Sequence, residues 1–212
     1  MNPGEQFLIS RYAASELAGA LLLGKAARKT KDPYLRSKYT WHCAEEARHA
    51  WLWMELLGET GIPVREVHDE TGDQYFRAIE KAQDDLDFLA FVHVYEMRVP
   101  FHFGMHLKKN NLSEPLRKLL HQLQLEEGPH LSWIADYLEQ EQKKGNPRVA
   151  EAMQMFGDLE DKTYRMDIKR LQMAGGDLKE LGDIIEQNLH LYTHPWKRFL
   201  TPDHAKEPTS VG

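Results

Sequence analysis

Apolar residues recur at spacings of three and four along most of the chain, which is the period of an amphipathic helix. No run of alternating apolar and polar residues predicts a strand, and no internal repeat is present. The pattern therefore predicts an all-α protein. The predicted helices cover residues 3–30, 33–57, 84–109, 113–144, 146–174 and 177–191, with a short helical piece around residues 74–82.

The connections between these helices indicate how they are arranged. The breaks at Asp32-Pro33 and Asn110-Asn111 are short, so each joins two helices into an antiparallel hairpin. The connection over residues 58–72 is rich in Gly, Pro and charge, and it is long enough to cross along the bundle. We predict a single domain over residues 1–200, with a bundle core at 4–144, extra helices at 146–192 and a flexible tail at 201–212.

The charge balance excludes several classes of protein. Lys and Arg total 27 against 33 for Asp and Glu, a net charge of -6 with no long basic stripe, so nucleic acid is not an expected partner. The lone Cys43 excludes an internal disulfide. The N-terminal residues do not resemble a secretory signal, and no stretch reaches the ~20 apolar residues of a membrane span. We expect a soluble, cytoplasmic protein without a membrane partner.

Two Glu-x-x-His motifs contain residue types that bind metal ions. The first is Glu46 with His49, and the second is Glu127 with His130. Residues three apart share one face of a helix, so each motif directs a carboxylate and an imidazole to one place. Because 20 glutamates and 11 histidines in 212 residues produce about one such match by chance, the motifs alone are weak signals.

The positions of two further glutamates strengthen the signal. Glu16 and Glu46 lie 15 residues on either side of the first hairpin turn, and Glu96 and Glu127 lie 15 and 16 residues from the second. In an antiparallel hairpin, residues equidistant from the turn lie at the same height, because each helix rises ~1.5 Å per residue. Each motif therefore has a glutamate opposite it in its own hairpin.

All four glutamates interrupt apolar stripes that should face the core. Buried carboxylates without partners cost several kcal/mol each, and no matching set of Lys or Arg lies on these faces. Two divalent ions would balance the four charges, while neutral imidazoles complete the ligand shells. Oxygen and nitrogen ligands without thiolate suit iron or manganese better than structural zinc.

The predicted ligand set resembles that of the ferritin-like di-iron-carboxylate superfamily. In that superfamily two helices contribute one glutamate each, and two others contribute a Glu-x-x-His motif each. The resemblance covers the four bundle helices, roughly the first two thirds of the chain. It implies a ferritin-like four-helix bundle in which Glu46 and Glu127 bridge the metals. The implied ligands, which are also catalytic through the metals, are Glu16, Glu46, His49, Glu96, Glu127 and His130.

Members of this superfamily reduce dioxygen or peroxide, and some then oxidise a bound organic molecule. The resemblance implies a di-iron oxidase or oxygenase of the O2-activating branch, which hydroxylates, desaturates or similarly oxidises a small, largely apolar substrate. Its cofactor would be two iron ions, with manganese or a mixed Fe/Mn pair as alternatives. The chain lacks a Cys-x-x-Cys pair and a dinucleotide fingerprint, so we expect a separate electron donor, a ferredoxin or reductase. We expect a monomer or homodimer.

Other functions stay open at this point. They are a ferroxidase that stores or detoxifies iron, a manganese catalase, a tRNA hydroxylase and a non-catalytic helical bundle. The helical extension after residue 146, which a minimal ferritin subunit does not need, favours the oxygenase over iron storage. The acidic charge balance disfavours a tRNA substrate.

Several residues near the predicted ligands have two possible roles. Glu45 and Glu126 are predicted as surface or outer-shell groups beside the ligands. Tyr12, one turn from Glu16, is predicted as a buried core residue, with outer-shell donor or radical carrier as the alternatives. Five further histidines are predicted as core or surface residues: His42, His93, His102, His106 and His121. His42, one turn from Glu46, is the best alternative ligand among them.

Overall fold

The computed structural model describes residues 2–61, 77, 79 and 81–200, and within these residues it contains helices and no strand. This confirms the prediction of an all-α protein. Two short 3-10 helices follow the last α-helix, at Leu189–Leu191 and Pro195–Phe199. The α-helices are α1 (Pro3–Lys29), α2 (Pro33–Glu59), α3 (Asp85–His106), α4 (Glu114–Lys143), α5 (Arg148–Ala174) and α6 (Gly176–Asn188).

The observed helix ends lie within a few residues of the predicted ones. The largest difference is at the last helix, predicted to reach residue 191, where the α-helix ends at Asn188 and a 3-10 turn completes the segment. The predicted helical piece at residues 74–82 and the connection at 58–72 lie largely outside the described residues. The predicted tail at 201–212 lies wholly outside them.

Local polar groups determine where the helices begin and end. The Asn2 side chain accepts a hydrogen bond from the Glu5 amide, and the Glu5 carboxylate accepts one from the Asn2 amide, which together cap α1. Asp32 accepts from two amides in the first turn of α2, at 2.8 and 3.2 Å. Gly175 and Gly176 have φ of 76° and 53°, which favours glycine and ends α5.

Helices α1 to α4 form a bundle of two hairpins. The short connections pair α1 with α2 and α3 with α4, and α2 also contacts α4. The Ser15 and Tyr95 hydroxyls, 2.8 Å apart, join α1 to α3. Helix α5 packs on α3 and on α6, so the C-terminal helices cover one side of the bundle.

Two apolar clusters fill the interior, one towards each end of the bundle. On α1, Ile9 belongs to one cluster and Leu23 to the other; on α4 the division falls between Leu123 and Ile134. The residues between these pairs include the predicted ligands of α1 and α4. A polar layer therefore lies between two apolar halves of the core.

One helix of the described chain, α1, is long and apolar enough to satisfy a simple test for a membrane span. Buried residues make up 44% of its most apolar window. Core helices of soluble proteins satisfy the same test, so this observation is weak support for a membrane.

The last 3-10 helix is anchored by Trp196, which is fully buried against Gly157 of α5. A Cβ added at Gly157 would lie 2.5 Å from the indole ring, so Gly157→Ala should displace it and lower the free energy of unfolding by about 1–3 kcal/mol. A matched control is Gly58→Ala in α2, where a Cβ meets nothing within 4 Å and should be neutral or stabilising. Chemical denaturation measures both; equal effects would contradict this packing.

Candidate metal centre

The residues predicted as ligands converge in the polar layer at the middle of the bundle. All are buried, from 0% exposed for His49 to 9% for Glu16. Each of the four bundle helices contributes one or two of them: Glu16 from α1, Glu46 and His49 from α2, Glu96 from α3, and Glu127 and His130 from α4.

The six predicted ligands form two overlapping groups that could each hold a metal ion. One group unites Glu16, Glu46, His49 and Glu127, and within it one ligand atom of each residue lies within 4.8 Å of the others. The second group meets the same limit and consists of Glu96, Glu127 and His130. Glu127 belongs to both groups. Glu46 also reaches the second, because its Oε1 is 3.1 Å from Nδ1 of His130.

His42 joins this cluster, although the sequence favoured a core or surface role for it. It forms a third group with Glu46 and His130. Its Nε2 is 3.0 Å from Oε1 of Glu96 and 3.3 Å from Oε1 of Glu46. The available signal was its place one turn before Glu46 on the same helix face.

Many buried polar atoms of the cluster have no hydrogen-bond partner among the described residues. Several lie near a carboxylate oxygen, but without the alignment of a hydrogen bond. Buried groups left in this state cost free energy, whereas a cation would satisfy them together. The atoms are Glu46 Oε1, Glu96 Oε2, Glu127 Oε1, His130 Nδ1, and both ring nitrogens of His42 and His49. The residues therefore fit a metal ion.

Glu45 and Glu126, the acids that immediately precede Glu46 and Glu127, lie outside the groups of described residues that could hold a metal ion. Glu126 Oε2 is 3.2 Å from Nε2 of His49, while Nδ1 of the same ring is 3.5 Å from Glu127. Arg48 contacts both acids, at 2.7 Å to Glu126 and 3.0 Å to Glu45. A carboxylate behind a histidine orients the ring and leaves its other nitrogen for the metal. The sequence predicts both acids as surface or outer-shell groups; in the structure Glu126 approaches His49, and Glu45 contacts Arg48.

Burial and mutual repulsion shift the pKa values of the carboxyl groups in the cluster. Burial raises the pKa of Glu16 well above its usual range, and the carboxylates of Glu46 and Glu127 raise it further. Burial also raises the pKa of Glu127 to about 7. For Glu46 burial acts in the same direction, but the nearby imidazoles of His130 and His42 outweigh it and hold its pKa below the usual value. The cluster without a cation therefore retains protons on acids that are normally ionised at neutral pH.

The same buried carboxylates shift the pKa values of the imidazoles. Burial lowers the pKa of His42, but the Glu96 and Glu46 carboxylates together outweigh burial and raise the pKa to about 9. Burial also lowers the pKa of His130, but the carboxylates of Glu127, Glu46 and Glu96 together outweigh burial and raise the pKa to about 10. Burial dominates at His49 and lowers its pKa. Protons thus occupy positions that a metal ion would take.

A glycine makes room for the cluster on α1. A Cβ at Gly19 would lie 3.1 Å from Oε2 of Glu46, closer than most real contacts. Gly19 follows Glu16 by three residues, so both lie on neighbouring parts of one helix surface. A larger residue there would push the Glu46 carboxylate away from its partners.

A chain of buried polar side chains lies one turn from Glu16. The Tyr12 hydroxyl is 2.9 Å from Nε2 of His102 and 3.0 Å from Nδ1 of His106, and the other nitrogen of His102 is 3.2 Å from the Tyr164 hydroxyl. Burial lowers the pKa of both histidines, so the chain is uncharged. Tyr12, His102 and His106 are all buried, and the last two lie outside the groups of described residues that could hold a metal. His93 is also buried, and His121 is exposed.

Comparison of the chain with protein-family models, curated proteins and solved structures finds no match. The metal-binding assignment therefore rests on the residues and their geometry.

Replacing a single carboxylate should separate metal binding from stability. Glu16→Gln removes a buried acid whose raised pKa makes it bind a proton on folding, so the metal-free protein at neutral pH should gain about 1 kcal/mol while its metal affinity falls at least about tenfold. Metal content after dialysis and thermal unfolding of the metal-free protein measure the two effects.

Glu45→Gln is the matched control, because Glu45 is part-exposed and pairs with Arg48 outside the groups that could hold a metal. It should leave both quantities unchanged. A Glu16→Gln protein that binds metal like the wild type would remove Glu16 from the site.

Metal uptake should depend on pH. Glu127, with its pKa raised to about 7, and His130, with its pKa raised to about 10, must lose protons before they can bind a cation. Affinity should therefore rise from about pH 6 to about pH 10, with protons released on binding. Calorimetry in buffers of different ionisation enthalpy measures both. An affinity that stays constant over this interval, with no proton release, would contradict the protonated cluster.

Proposed function

We propose that the protein is a ferritin-like di-iron-carboxylate enzyme that uses dioxygen to oxidise a small, largely apolar organic molecule. The observation behind the proposal is the pair of overlapping buried groups that share Glu127. Two groups with a shared carboxylate suit two ions held side by side. The pattern of one glutamate from each of two helices and Glu-x-x-His from two others supports the family assignment.

Charge and ligand chemistry support iron. Four carboxylates balance two divalent ions, and the imidazoles complete the shells without adding charge. No thiolate approaches the cluster: the only cysteine of the chain is Cys43, a residue outside the groups that could hold a metal. Oxygen and nitrogen ligands favour iron or manganese over the thiolate-rich sites of structural zinc. Bound iron would supply the reduction of dioxygen, which no amino-acid side chain performs alone.

The protein itself would position the metal ligands, supply their charge and exclude bulk water from the centre. Glu126 would hold His49 with Nδ1 towards the centre, and His42 would orient Glu96 and Glu46. Two apolar clusters on either side would keep bulk water away from the polar layer. These roles follow from the contacts of the side chains and require no movement of the helices.

Aromatic side chains suggest how an apolar substrate would approach. Trp41 lies with its ring centroid 5.5 Å from that of His130, and Trp133 lies 5.9 Å from His42. Trp41 is 39% exposed, whereas Trp133 is buried. A molecule entering beside Trp41 would meet an aromatic surface before it reached His130, which favours an apolar substrate.

The electrons would come from another protein. The sequence contains neither a Cys-x-x-Cys pair for a rubredoxin-type iron nor a dinucleotide fingerprint. A ferredoxin or a reductase would therefore be the partner in turnover.

Oxygen uptake tests the proposal. Protein loaded anaerobically with about two equivalents of Fe(II) and then mixed with air should consume dioxygen, and added reductant should sustain the uptake. Glu127→Gln should lose this activity at least about 100-fold because it removes the carboxylate common to both groups. Glu45→Gln should retain it. An oxygen electrode and bound-iron analysis give the measurements.

Other outcomes would replace the proposal. Assembly into a large hollow shell that accumulates many iron atoms per chain would indicate iron storage. Oxygen release from hydrogen peroxide without a reductant, by the manganese-loaded protein, would indicate a catalase. Stoichiometric metal binding with no oxygen chemistry would leave a metal-stabilised helical bundle.

A further inference from the structure

The polar layer contains a histidine that the predicted ligand set does not use. His42 is 0% exposed on α2, and it lies four residues before Glu46 and seven before His49. Residues at this spacing share one face of a helix, so all three side chains point into the same layer. His42 also belongs to a group, with Glu46 and His130, that could hold a metal ion.

The distances around the His42 ring are those expected between neighbouring ligands of one ion. Two atoms that each lie ~2.1 Å from an ion are ~3.0 Å apart at a right angle and ~3.4 Å apart at a tetrahedral angle. Nε2 of His42 is 3.0 Å from Oε1 of Glu96 and 3.3 Å from Oε1 of Glu46. Nδ1 of His130, a predicted ligand, is 3.1 Å from the same Glu46 oxygen and 3.4 Å from Oε2 of Glu127. The two nitrogens therefore have equivalent surroundings.

Hydrogen bonding does not account for these short distances. Neither ring nitrogen of His42 has a hydrogen-bond partner among the described residues, since its contacts with Glu46 and Glu96 lack the alignment of a hydrogen bond. An ion between the two carboxylate oxygens could bind both of them and Nε2 at once. Through that ion the ring would also orient the two carboxylates.

A second buried histidine, His93, shows that burial alone does not make a ligand. It is 1% exposed on α3, and neither of its ring nitrogens has a partner in the described part of the chain. Its ring packs against Phe199, and it belongs to no group of described residues that could hold a metal. The carboxylates around His42, rather than its burial, therefore distinguish it.

We infer that His42 is a seventh metal ligand, bound through Nε2 to the ion that Glu96 and His130 hold. The inference rests on the proposed pair of ions and adds a third imidazole to them. The rings of His42 and His130 lie side by side, with centroids 4.1 Å apart. Imidazole nitrogen and carboxylate oxygen together suit a divalent transition metal.

A seventh ligand makes the two halves of the centre unequal. The position on α4 that corresponds to His42, four residues before Glu127, is occupied by the buried Leu123. One ion would therefore have more protein ligands than the other. The ligands of the first ion would be Glu16, Glu46, His49 and Glu127, and those of the second would be His42, Glu46, Glu96, Glu127 and His130.

The unequal halves determine where an external molecule can bind. In octahedral geometry the second ion would keep about one coordination position free, and the first ion would keep about two. A small molecule such as dioxygen would therefore meet the more open ion, the one that Glu16 and His49 hold. The half with the additional imidazole should fill first when metal is limiting.

Proton NMR of the full chain loaded with Co(II) tests the inference. Each bound imidazole keeps one ring N–H, and the unpaired electrons of Co(II) shift its resonance far from those of other protons. Loading with about one equivalent should give two such exchangeable signals, from His42 and His130. Loading with about two equivalents should add a third signal, from His49.

His42→Gln separates coordination from orientation. Glutamine can still donate a hydrogen bond to either carboxylate, but it lacks the imidazole nitrogen that binds the metal. The variant should lose one shifted signal and bind its first equivalent of Co(II) about 100-fold more weakly. The matched control is His93→Gln, which should keep all three signals and the wild-type affinity. Circular dichroism checks that both variants are folded.

Three results would overturn the inference. They are a wild type with only two shifted signals at full loading, a first equivalent of Co(II) that produces a single signal, and a folded His42→Gln variant that keeps the wild-type number of signals. The wild-type spectra decide the question even if a variant does not fold. The proposed function fails on a different observation, iron binding without oxygen uptake, so the two can fail separately.

Discussion

Four carboxylates in the dry middle of a helical bundle are the feature around which the structure is organised. Glu16, Glu46, Glu96 and Glu127 are each at most 9% exposed. No arginine or lysine reaches them within the described residues, and their only cationic partners are histidines. Carboxylates and imidazoles that share a few protons satisfy one another poorly, as the unpartnered atoms show. A multivalent cation removes this conflict, which is why the buried charge indicates function rather than stability.

The rest of the fold separates and supports this layer. The two apolar clusters occupy opposite ends of the bundle and supply the burial that offsets the cost of the polar centre. Gly19 leaves space for the Glu46 carboxylate, and Glu126 lies behind His49. Helices α5 and α6 cover the side of the bundle formed by α3 and complete the core there. Stability is thus built around a site that would itself destabilise the metal-free protein.

The helices and six of the cluster residues were predictable from the sequence, because both depend on period and register. Capping residues such as Asp32 determine where helices begin, and equal distances from a turn place Glu16 opposite Glu46. The role of His42 was not predictable, since its ring meets Glu96 of another helix and that distance depends on interhelical packing. Glu126 was predicted as a surface or outer-shell group, but its contact with His49 of another helix depends on the same packing.

Anomalous diffraction from crystals of the protein grown with iron is the most direct measurement of the central claim. We expect two peaks at the iron absorption edge about 3.5–4 Å apart, with Glu127 between them. Glu16 and His49 should bind one ion, and Glu96 and His130 the other. Crystals in which these acids turn away from one another, with no anomalous peak in the layer, would contradict the dinuclear site.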